Sequence, residues 1–279
     1  MVCRACLPIC ASEMLSTGLL FAAAAYTPAA LRPAVSRAST IVAQTNPTLP
    51  QLYVYDHCPF CVRVRLALGL MGKQHQLMFL GNDDVETPTA LVGKKIAPIW
   101  VDADGPMMES LDIIGKLDTE GLLKPASGRT DLKAWQKSVQ TLMRKLQRPR
   151  YVKVPLPEFM QKGGRDAFVK NHQMPPFEKA DWKTGDMTLE SKYGYYEEAF
   201  AESSELVPEL SKALLELEPL IYSTECCTEG GLSYDDIDLW ARLRSITVIK
   251  GLVIPPKIRA YLDYFESNGD VPLYDVMAV

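Results

Sequence analysis

Two cysteines spaced as Cys58-Pro-Phe-Cys61 lie between two apolar segments and constrain the fold of this chain more than any other feature. Residues 52–55 have the composition of a buried strand, and residues 62–71 carry apolar side chains at helical spacing. The motif therefore predicts a strand that ends before the first thiol and a helix that carries the second. At a helix N-terminus the free backbone N–H groups stabilise a thiolate, and the pKa of such a cysteine can fall to roughly 3.5–7.5.

The spacing of the two thiols is typical of redox chemistry. A thiolate at Cys58 attacks disulfides at neutral pH, and Cys61, one helical turn later, lies close enough to displace whatever the first thiol has captured. Pro59 suits the first helical position, because its missing N–H needs no partner there. The alternative for Cys58 is a buried thiol that packs as a small apolar side chain. The Pro-Phe-Cys context favours the redox pair.

Charged neighbours of the motif are candidates for tuning the thiol. Arg63 and Arg65 add positive charge within the next turns of the predicted helix, and His57 directly precedes Cys58. A nearby cation lowers the pKa of a thiol. The alternative is that the arginines pair with carboxylates or remain in solvent, and that His57 is ordinary polar surface.

The overall composition is that of a globular protein and excludes one class of partner. With 279 residues the chain is long enough for two domains, and 47% of its residues are hydrophobic while 23% are charged. The net charge is −4, and no basic stripe of the density needed for nucleic acid is present. We therefore expect no nucleic-acid partner.

The number of cysteines, seven, is odd, and their spacing does not suggest the disulfide framework of a small secreted domain. No second CxxC and no histidine pair at ligand spacing accompanies the motif, which disfavours a structural zinc site and predicts no metal. Cys226 and Cys227 are adjacent in a predicted turn between helices. We expect them to be two plain thiols, because a disulfide between neighbouring residues is strained.

The first 50 residues are predicted to be a targeting leader that is disordered or cleaved. Residues 1–50 are rich in Ala, Ser, Thr and Pro and contain Glu13 as their only acid. Residues 14–25 resemble the apolar region of a secretory signal, and the following Arg- and Ser-bearing run resembles a transit peptide. An organelle is expected, a plastid before a mitochondrion, with the cytoplasm as the alternative if the segment has no addressing role. The apolar run is shorter than the roughly 20 residues of a membrane span, so no stable insertion is expected.

Beyond the leader, residues 51–118 have the pattern of an α/β domain. The strand at 52–55, the helix at 62–71 and a second strand at 76–80 give a β-α-β opening. The remaining predicted elements are a short helix through Val92 with Thr87 as N-cap and Pro88 as its first residue, a hairpin of residues 99–101 and 107–108, and a closing helix at 110–118. This order of elements is that of a thioredoxin-like domain.

Residues 119–129, rich in Gly, Pro, Ser and charge, are predicted to link this domain to an all-helical one, residues 130–279. Two apolar stripes at helical spacing are predicted to face its core. They consist of Trp135, Val139, Leu142 and Leu146, and of Leu206, Leu210, Leu214 and Leu217. Ser233 and Asp236 have the spacing of a capping box that starts a helix. Residues 156–187 lack periodicity and are expected to form a long connection.

Four segments resemble the glutaredoxin 2 family, the dithiol glutaredoxins that have the shape of a glutathione transferase. They are residues 52–61, 81–88, 92–98 and 108–113, and the likeness covers roughly residues 51–279. The resemblance implies an α/β thioredoxin-like N-terminal domain docked on an all-α C-terminal domain, in a glutathione-transferase-like architecture.

The resemblance also implies an activity. Cys58 corresponds to the nucleophile and Cys61 to the resolving thiol of a glutathione-disulfide oxidoreductase. Glutathione is then the co-substrate that supplies electrons, with no permanently bound cofactor. The sequence departs from the family at Phe60, where the motif usually has tyrosine, and this puts any hydrogen bond from that position to substrate in doubt.

The same resemblance assigns the residues that bind glutathione. Pro98 corresponds to the cis-proline of the fold, so that the Ala97 backbone pairs with the cysteinyl part of glutathione. Glu109 and Ser110 hold the γ-glutamyl end, and Ser110 is also predicted to cap the closing helix. The full set of predicted binding residues is Pro59, Phe60, Lys94, Ile96, Ala97, Pro98, Glu109 and Ser110.

Two alternative functions remain open. One is a cysteine-type glutathione transferase or dehydroascorbate reductase, which generally keeps one thiol, so that Cys61 counts against it. The other is a module that binds a glutathione-ligated iron–sulfur cluster, which the proline after the nucleophile disfavours by resemblance.

The expected partners are glutathione and glutathionylated or disulfide-containing proteins, and the expected state is a monomer. Residues 151–196 look longer than the family pattern and are predicted to reshape the cleft between the domains.

Overall fold

The computed structural model describes residues 49–184 and 186–279. All of them belong to one compact unit, Thr45–Val279. The predicted leader lies outside the described residues except for Leu49 and Pro50, so its targeting role stays a prediction.

The N-terminal part of this unit is a four-stranded mixed sheet with helices. Its elements in chain order are β1 (Gln51–Val54), α1 (Pro59–Leu70), β2 (Gln76–Phe79), α2 (Glu86–Val92), β3 (Ile99–Asp102), β4 (Gly105–Met108) and α3 (Ser110–Leu117). The strand order is β2-β1-β3-β4, with β1 parallel to β2 and β3 antiparallel to β1 and β4. This is the thioredoxin-like arrangement that the sequence predicts.

The rest of the chain is helical. Its elements are α4 (Thr130–Tyr151), α5 (Lys162–Asn171), α6 (Lys179–Lys183), α7 (Leu189–Ala201), α8 (Ser203–Leu217), α9 (Tyr234–Arg244) and α10 (Pro256–Gly269), with short 3-10 turns such as Pro157–Phe159. The capping box of Ser233 and Asp236 is present at the start of α9, as predicted. Within the described residues, no helix combines the length and apolar character needed to cross a bilayer.

Helix α1 connects the sheet to the helical part. It packs against α3 on one side and against α9 and α10 on the other, and its Val64 and Leu66 side chains are fully buried. The contact with α10 is so close that a Cβ atom added at Gly69 would lie 1.8 Å from the carbonyl oxygen of Gly269. Since α1 is enclosed on both sides, the thiols at its N-terminus are carried by a rigid element.

Two predicted helix starts are wrong, that of α2 by two residues and that of α3 by one. Helix α2 begins at Glu86, before Thr87, and the Thr87 N–H donates to the Asp84 carboxylate at 3.0 Å, so an aspartate satisfies the N-terminal amide. Helix α3 has Glu109 at its cap position instead of Ser110. The Glu109 backbone is left-handed (φ 72°), and Ser110 is already helical.

The prediction of a long connection at residues 156–187 is also wrong. The segment contains a 3-10 turn and the helices α5 and α6. Two glycines in the first turn of α5 conceal its periodicity, and α6 has only five residues, too few to show a pattern. Its single apolar anchor, Trp182, is fully buried and donates its indole N–H to the carbonyl of Val169 at 2.8 Å.

Candidate active site

The turn after β1 places the two thiols in different surroundings. Cys58 occupies the cap position of α1 with an extended backbone (φ −76°, ψ 118°), and Pro59 is the first helical residue. Cys58 is half-buried, whereas Cys61 is fully buried. The backbone N–H of Tyr55 donates to the Cys61 sulfur at 3.4 Å, which fixes the inner thiol against the end of β1.

The two thiols have opposite acidities. A hydrogen bond from the Cys61 side chain outweighs burial and lowers the pKa of Cys58 to about 6, with help from His57 and from the backbone N–H groups of Cys61 and Phe60. These N–H groups favour the thiolate electrostatically, although the Cys58 side chain accepts no capping hydrogen bond in the first turn of α1. Burial and the neighbouring Cys58 raise the pKa of Cys61 well above its ordinary value. The outer sulfur is therefore the thiolate and the inner one its donor.

His57 is held by a carboxylate from the helical part of the chain. The Oε1 atom of Glu158, a residue that is 1% exposed, accepts the backbone N–H of His57 at 2.8 Å and lies 2.5 Å from the Nδ1 atom of its ring. The backbone carbonyl of Glu158 accepts from the Asn82 N–H at 3.1 Å. The 3-10 turn after α4 thus fixes the ring that precedes the nucleophile, and this agrees with a tuning role for His57.

The arginines of α1 both pair with carboxylates, which is one of the two roles that the sequence leaves open for them. Arg63 pairs with Asp238 of α9, and its guanidinium lies 4.8 Å from the centre of the Phe60 ring. Arg65 pairs with Asp56. Both side chains point toward carboxylates that are distant in sequence or at the end of β1, which the spacing alone does not reveal.

A buried network lies directly below the motif. Arg244, at the end of α9, is 1% exposed and donates to the carbonyl of Asp56 at 2.8 Å and to both carboxylate oxygens at 3.1 Å. The Tyr274 hydroxyl donates to the same carbonyl at 2.8 Å. Asp56 is two residues before Cys58, so these bonds tie the active-site turn to the helical part.

The Cys58 sulfur opens onto a cleft of about 880 Å³. On the sheet side its lining includes five of the residues predicted to form the site. They are Cys58, Pro59 and Phe60 of the motif and Ile96 and Ala97 of the predicted glutathione-binding segment. On the helical side the lining comes mainly from α4, α5 and α6, with Arg242 of α9, so the segment predicted to reshape the cleft contributes part of this wall.

Comparisons with known proteins agree with this geometry. The family model described as Glutaredoxin 2, C terminal domain, matches residues 187–278, and that of the glutathione S-transferase N-terminal domain matches residues 57–120. Glutaredoxin 2 of Escherichia coli (strain K12) is 32% identical over 233 residues, which cover 82% of this chain and 100% of the relative. This chain belongs to the glutaredoxin 2 family. A crystal structure of glutaredoxin 2 from Salmonella typhimurium in complex with glutathione is 29% identical, with a TM-score of 0.71, and covers 82% of this chain and 99% of that one.

For this member of the glutaredoxin 2 family, the sheet-side residues fall into two groups. The Ala97–Pro98 bond is cis, as the resemblance predicts. Within residues 49–184 and 186–279, no backbone hydrogen bond engages the N–H or C=O of Ala97, which leaves both groups available to a ligand. Lys94, Glu109 and Ser110 do not line the cleft, and Ser110 is buried at the start of α3. Their part in glutathione binding stays a prediction.

The two remaining described cysteines are free thiols, as predicted. Cys227 is fully buried, and burial together with the adjacent Asp236 carboxylate raises its pKa. The Cys227 N–H donates to Asp236 at 2.6 Å. A thiol in this environment is inert, so it serves packing instead of redox chemistry in this glutaredoxin.

Sequence reasoning missed the helical wall of the cleft and the residue that holds His57. Glu158 lies 101 residues from His57, in a segment without periodicity, and no local signal identifies it. On α4 the cleft-lining residues Gln136, Gln140 and Arg144 recur every fourth position, which is a signal in retrospect. A polar stripe of this kind is indistinguishable from an ordinary solvent-facing side of a helix until the opposing domain is placed.

Proposed function

We propose that this protein is a glutathione-dependent thiol–disulfide oxidoreductase, a dithiol glutaredoxin, with Cys58 as the nucleophile and Cys61 as the resolving thiol. The observation that carries the proposal is that the two sulfurs differ in exposure and in acidity. Cys58 is half-buried at the cleft with a pKa of about 6, and the fully buried Cys61 keeps its proton. The nucleophile therefore exists as a thiolate at neutral pH.

The chemistry follows from thiolate attack. The Cys58 thiolate attacks the glutathionyl sulfur of a mixed disulfide, a bond forms between the two sulfurs, and the substrate thiolate leaves and takes up a proton. The thiolate of a second glutathione then attacks the same glutathionyl sulfur. This step releases oxidised glutathione and restores the Cys58 thiolate.

A second route uses both cysteines. When the substrate itself is bonded to Cys58, the Cys61 thiol loses its proton and attacks the Cys58 sulfur, which frees the reduced substrate and leaves an internal disulfide. Two molecules of glutathione reduce that disulfide. The hydrogen bond between the two thiols supports this route, because it places Cys61 within reach of Cys58.

Glutathione binding is supported by the free backbone of Ala97 beside Cys58 and by the crystal structure of Salmonella glutaredoxin 2 in complex with glutathione. A tripeptide that pairs with this N–H and C=O lies like an added strand. We place the cysteinyl sulfur of glutathione against Cys58, with Pro59, Phe60 and Ile96 along the wall. We place the glycyl carboxylate of glutathione near Lys94 and its γ-glutamyl end at the Glu109-Ser110 turn.

Three further features complete the proposal. The physiological substrates are glutathionylated or disulfide-containing proteins, and the protein acts as a monomer. The Arg- and Ser-bearing residues 1–50 direct it to an organelle, a plastid before a mitochondrion. A fusion of these residues to a fluorescent protein tests the last point, and a diffuse cytoplasmic signal would contradict it.

The test of function uses the full-length chain, a glutathionylated peptide, glutathione, and glutathione reductase with NADPH as the coupled readout. We expect Cys58→Ser to lose at least about a hundredfold in rate, because the attacking sulfur is gone. Cys61→Ser should retain most of the activity toward this substrate and lose activity toward an intramolecular protein disulfide. The opposite pattern, with Cys58→Ser active and Cys61→Ser inactive, would overturn the assignment of roles.

The same preparations separate the alternatives. A chlorodinitrobenzene conjugation assay and a dehydroascorbate assay report the transferase and reductase functions, which should be much weaker than disulfide reduction. Anaerobic reconstitution with iron and sulfide reports the cluster-binding function through its visible absorption band. A strong result in one of these assays together with no disulfide reduction would replace the proposal.

A further inference from the structure

The helical wall of the cleft carries an unusual set of charges. Six cationic side chains line the cleft, and none of the described residues that line it is an aspartate or glutamate. The six are Lys95, Arg144, Arg148, Lys179, Lys183 and Arg242. The chain as a whole has a net charge of −4, so this local excess of positive charge does not reflect composition.

Two of the six cations are engaged within the protein. Arg242 pairs with Asp238 of the same helix at 3.2 Å. The Lys95 ammonium donates to the carbonyl of Asn82 and lies near Asp83 and Asp84. These two side chains are therefore partly neutralised within the protein.

The other four, the basic wall, are Arg144 and Arg148 of α4 and Lys179 and Lys183 of α6. Arg148 donates to the carbonyl of Gln173, and the ion pairs of the described residues include none of the four. Each helix presents its two cations four residues apart, which brings like charges together and destabilises the helix slightly. Among residues 49–184 and 186–279, no carboxylate forms an ion pair with any of the four that would offset this cost.

The positive charge of the basic wall also lowers the pKa of one of its own members and of one adjacent residue. Burial lowers the pKa of Arg148, and the adjacent Arg144 lowers it further. His172 lines the same cleft, and burial with the nearby charges of His57, Arg148 and Lys179 lowers its pKa to about 3, so this ring remains neutral. Helix α6 is anchored by the buried Trp182, which holds its two lysines in place.

From this geometry we infer that the basic wall recognises an acidic segment of the protein whose cysteine is presented to Cys58 as a mixed disulfide. The inference rests on the proposed function. Glutathione placed along Ala97 occupies the sheet side of the cleft, so the helical side faces the other half of the disulfide. Complementary charge across such a contact accelerates encounter and disfavours basic partners.

The test compares two synthetic peptides, each with one glutathionylated cysteine and identical except at four flanking positions. These are Asp or Glu in one peptide and Ser or Gln in the other. Since both carry the same glutathionyl group, the ratio of their kcat/KM values reports only the flanking charges. We expect the acidic peptide to be favoured about tenfold at low ionic strength, and the preference to fall toward one in about 0.3 M salt.

The decisive variant is Arg144→Gln/Lys179→Gln/Lys183→Gln, in which the ratio should approach one. Its control is Lys133→Gln/Lys137→Gln/Lys212→Gln, which removes three charges from exposed positions outside the cleft and should keep the wild-type ratio. Circular dichroism confirms that both variants fold. An unchanged ratio in the first variant, or an equal loss in the control, would overturn the inference.

The two proposals fail in distinguishable ways. If the wild-type protein reduces neither peptide, the proposed function is wrong. If it reduces both at the same rate, or prefers the neutral peptide, the oxidoreductase function stands and the inference about the acidic segment is wrong.

Discussion

At the scale of single residues, the site depends on how the sulfurs of two cysteines three positions apart come to differ in acidity. The motif places both thiols in one helical turn, but their acidities follow from burial and from the hydrogen bond between them. The side chain of Cys61 is the largest influence that lowers the pKa of Cys58. In the roles proposed above, the resolving thiol therefore also makes the nucleophile more acidic before any disulfide is formed.

This dependence gives a prediction for Cys61→Ala. The pKa of Cys58, about 6 in the wild type, should rise because the thiolate loses its strongest donor. The measurement is the pH dependence of alkylation at Cys58 by iodoacetamide, followed by mass spectrometry. The midpoint should move upward in Cys61→Ala and less in Cys61→Ser, which keeps a hydroxyl donor. A midpoint that is unchanged or lower in Cys61→Ala would show that another group stabilises the thiolate.

The sequence predicts the roles of these residues only where the signal is local. The CxxC spacing and the helix start identify both thiols, and the four family segments identify the cis bond before Pro98. Neither signal predicts that Arg63 pairs with Asp238 on α9 or that Glu158 holds His57. Both contacts join residues more than a hundred positions apart, and they exist only because the helical part packs on the sheet.

At the scale of helices and strands, local sequence signals predict the strands and the start of α9 but do not predict α5 and α6. The strands follow from short apolar runs, and the start of α9 follows from a capping box whose two hydrogen bonds are both present. Helices α5 and α6 are not predicted, because two adjacent glycines interrupt the apolar periodicity of α5 and because α6, with five residues, is too short to show one. Both are fixed by tertiary contacts, such as that of the buried Trp182.

The crossing of α1 and α10 gives a prediction at this scale. Gly69→Ala should lower the free energy of unfolding by about 1–3 kcal/mol, because the new Cβ would overlap the Gly269 carbonyl, 1.8 Å away, and force the helices apart. Its matched control is Gly194→Ala in α7, where a Cβ meets nothing within 4 Å. There the better helix propensity of alanine should raise stability by up to about 1 kcal/mol.

Urea unfolding at pH 7 measures both changes. Since each variant replaces a glycine inside a helix, the propensity contribution has the same sign in both, and the difference between them isolates the contact between α1 and α10. Equal effects in the two variants would mean that the helices separate at negligible cost.

At the scale of the whole molecule, the order of the motifs along the chain is enough to predict a thioredoxin-like domain followed by a helical one. It does not predict the charges that meet across the cleft, since α4 and α6 acquire a shared wall only in the folded chain. It also does not predict the buried network between Asp56 and Arg244 that joins the two parts. That network lies beneath the nucleophile, so the stability of the molecule and the geometry of its site are linked.

The pH dependence of stability should reveal this link. Burial raises the pKa of Asp56, but the charges and hydrogen bonds of Arg244 and Arg65 outweigh it and hold that pKa below its ordinary value. A carboxyl group whose pKa is lower in the folded than in the unfolded chain stabilises the fold above its unfolded pKa, about 3.9. This contribution is lost as the pH falls through the folded pKa.

Asp56→Asn should therefore lower the free energy of unfolding by roughly 3–5 kcal/mol at pH 7, because Arg244 and Arg65 lose their buried counter-charge. The difference from the wild type should shrink as the pH falls below about 4, where the Asp56 carboxyl of the unfolded wild-type chain begins to take up a proton while that of the folded chain stays charged. Urea unfolding between pH 7 and pH 3 measures both proteins. The control is Asp263→Asn, which breaks the exposed pair with Arg259 and should cost less than about 1 kcal/mol. A difference for Asp56→Asn that stays constant down to pH 3, or one no larger than that of the control, would mean that this network does not hold the two parts together.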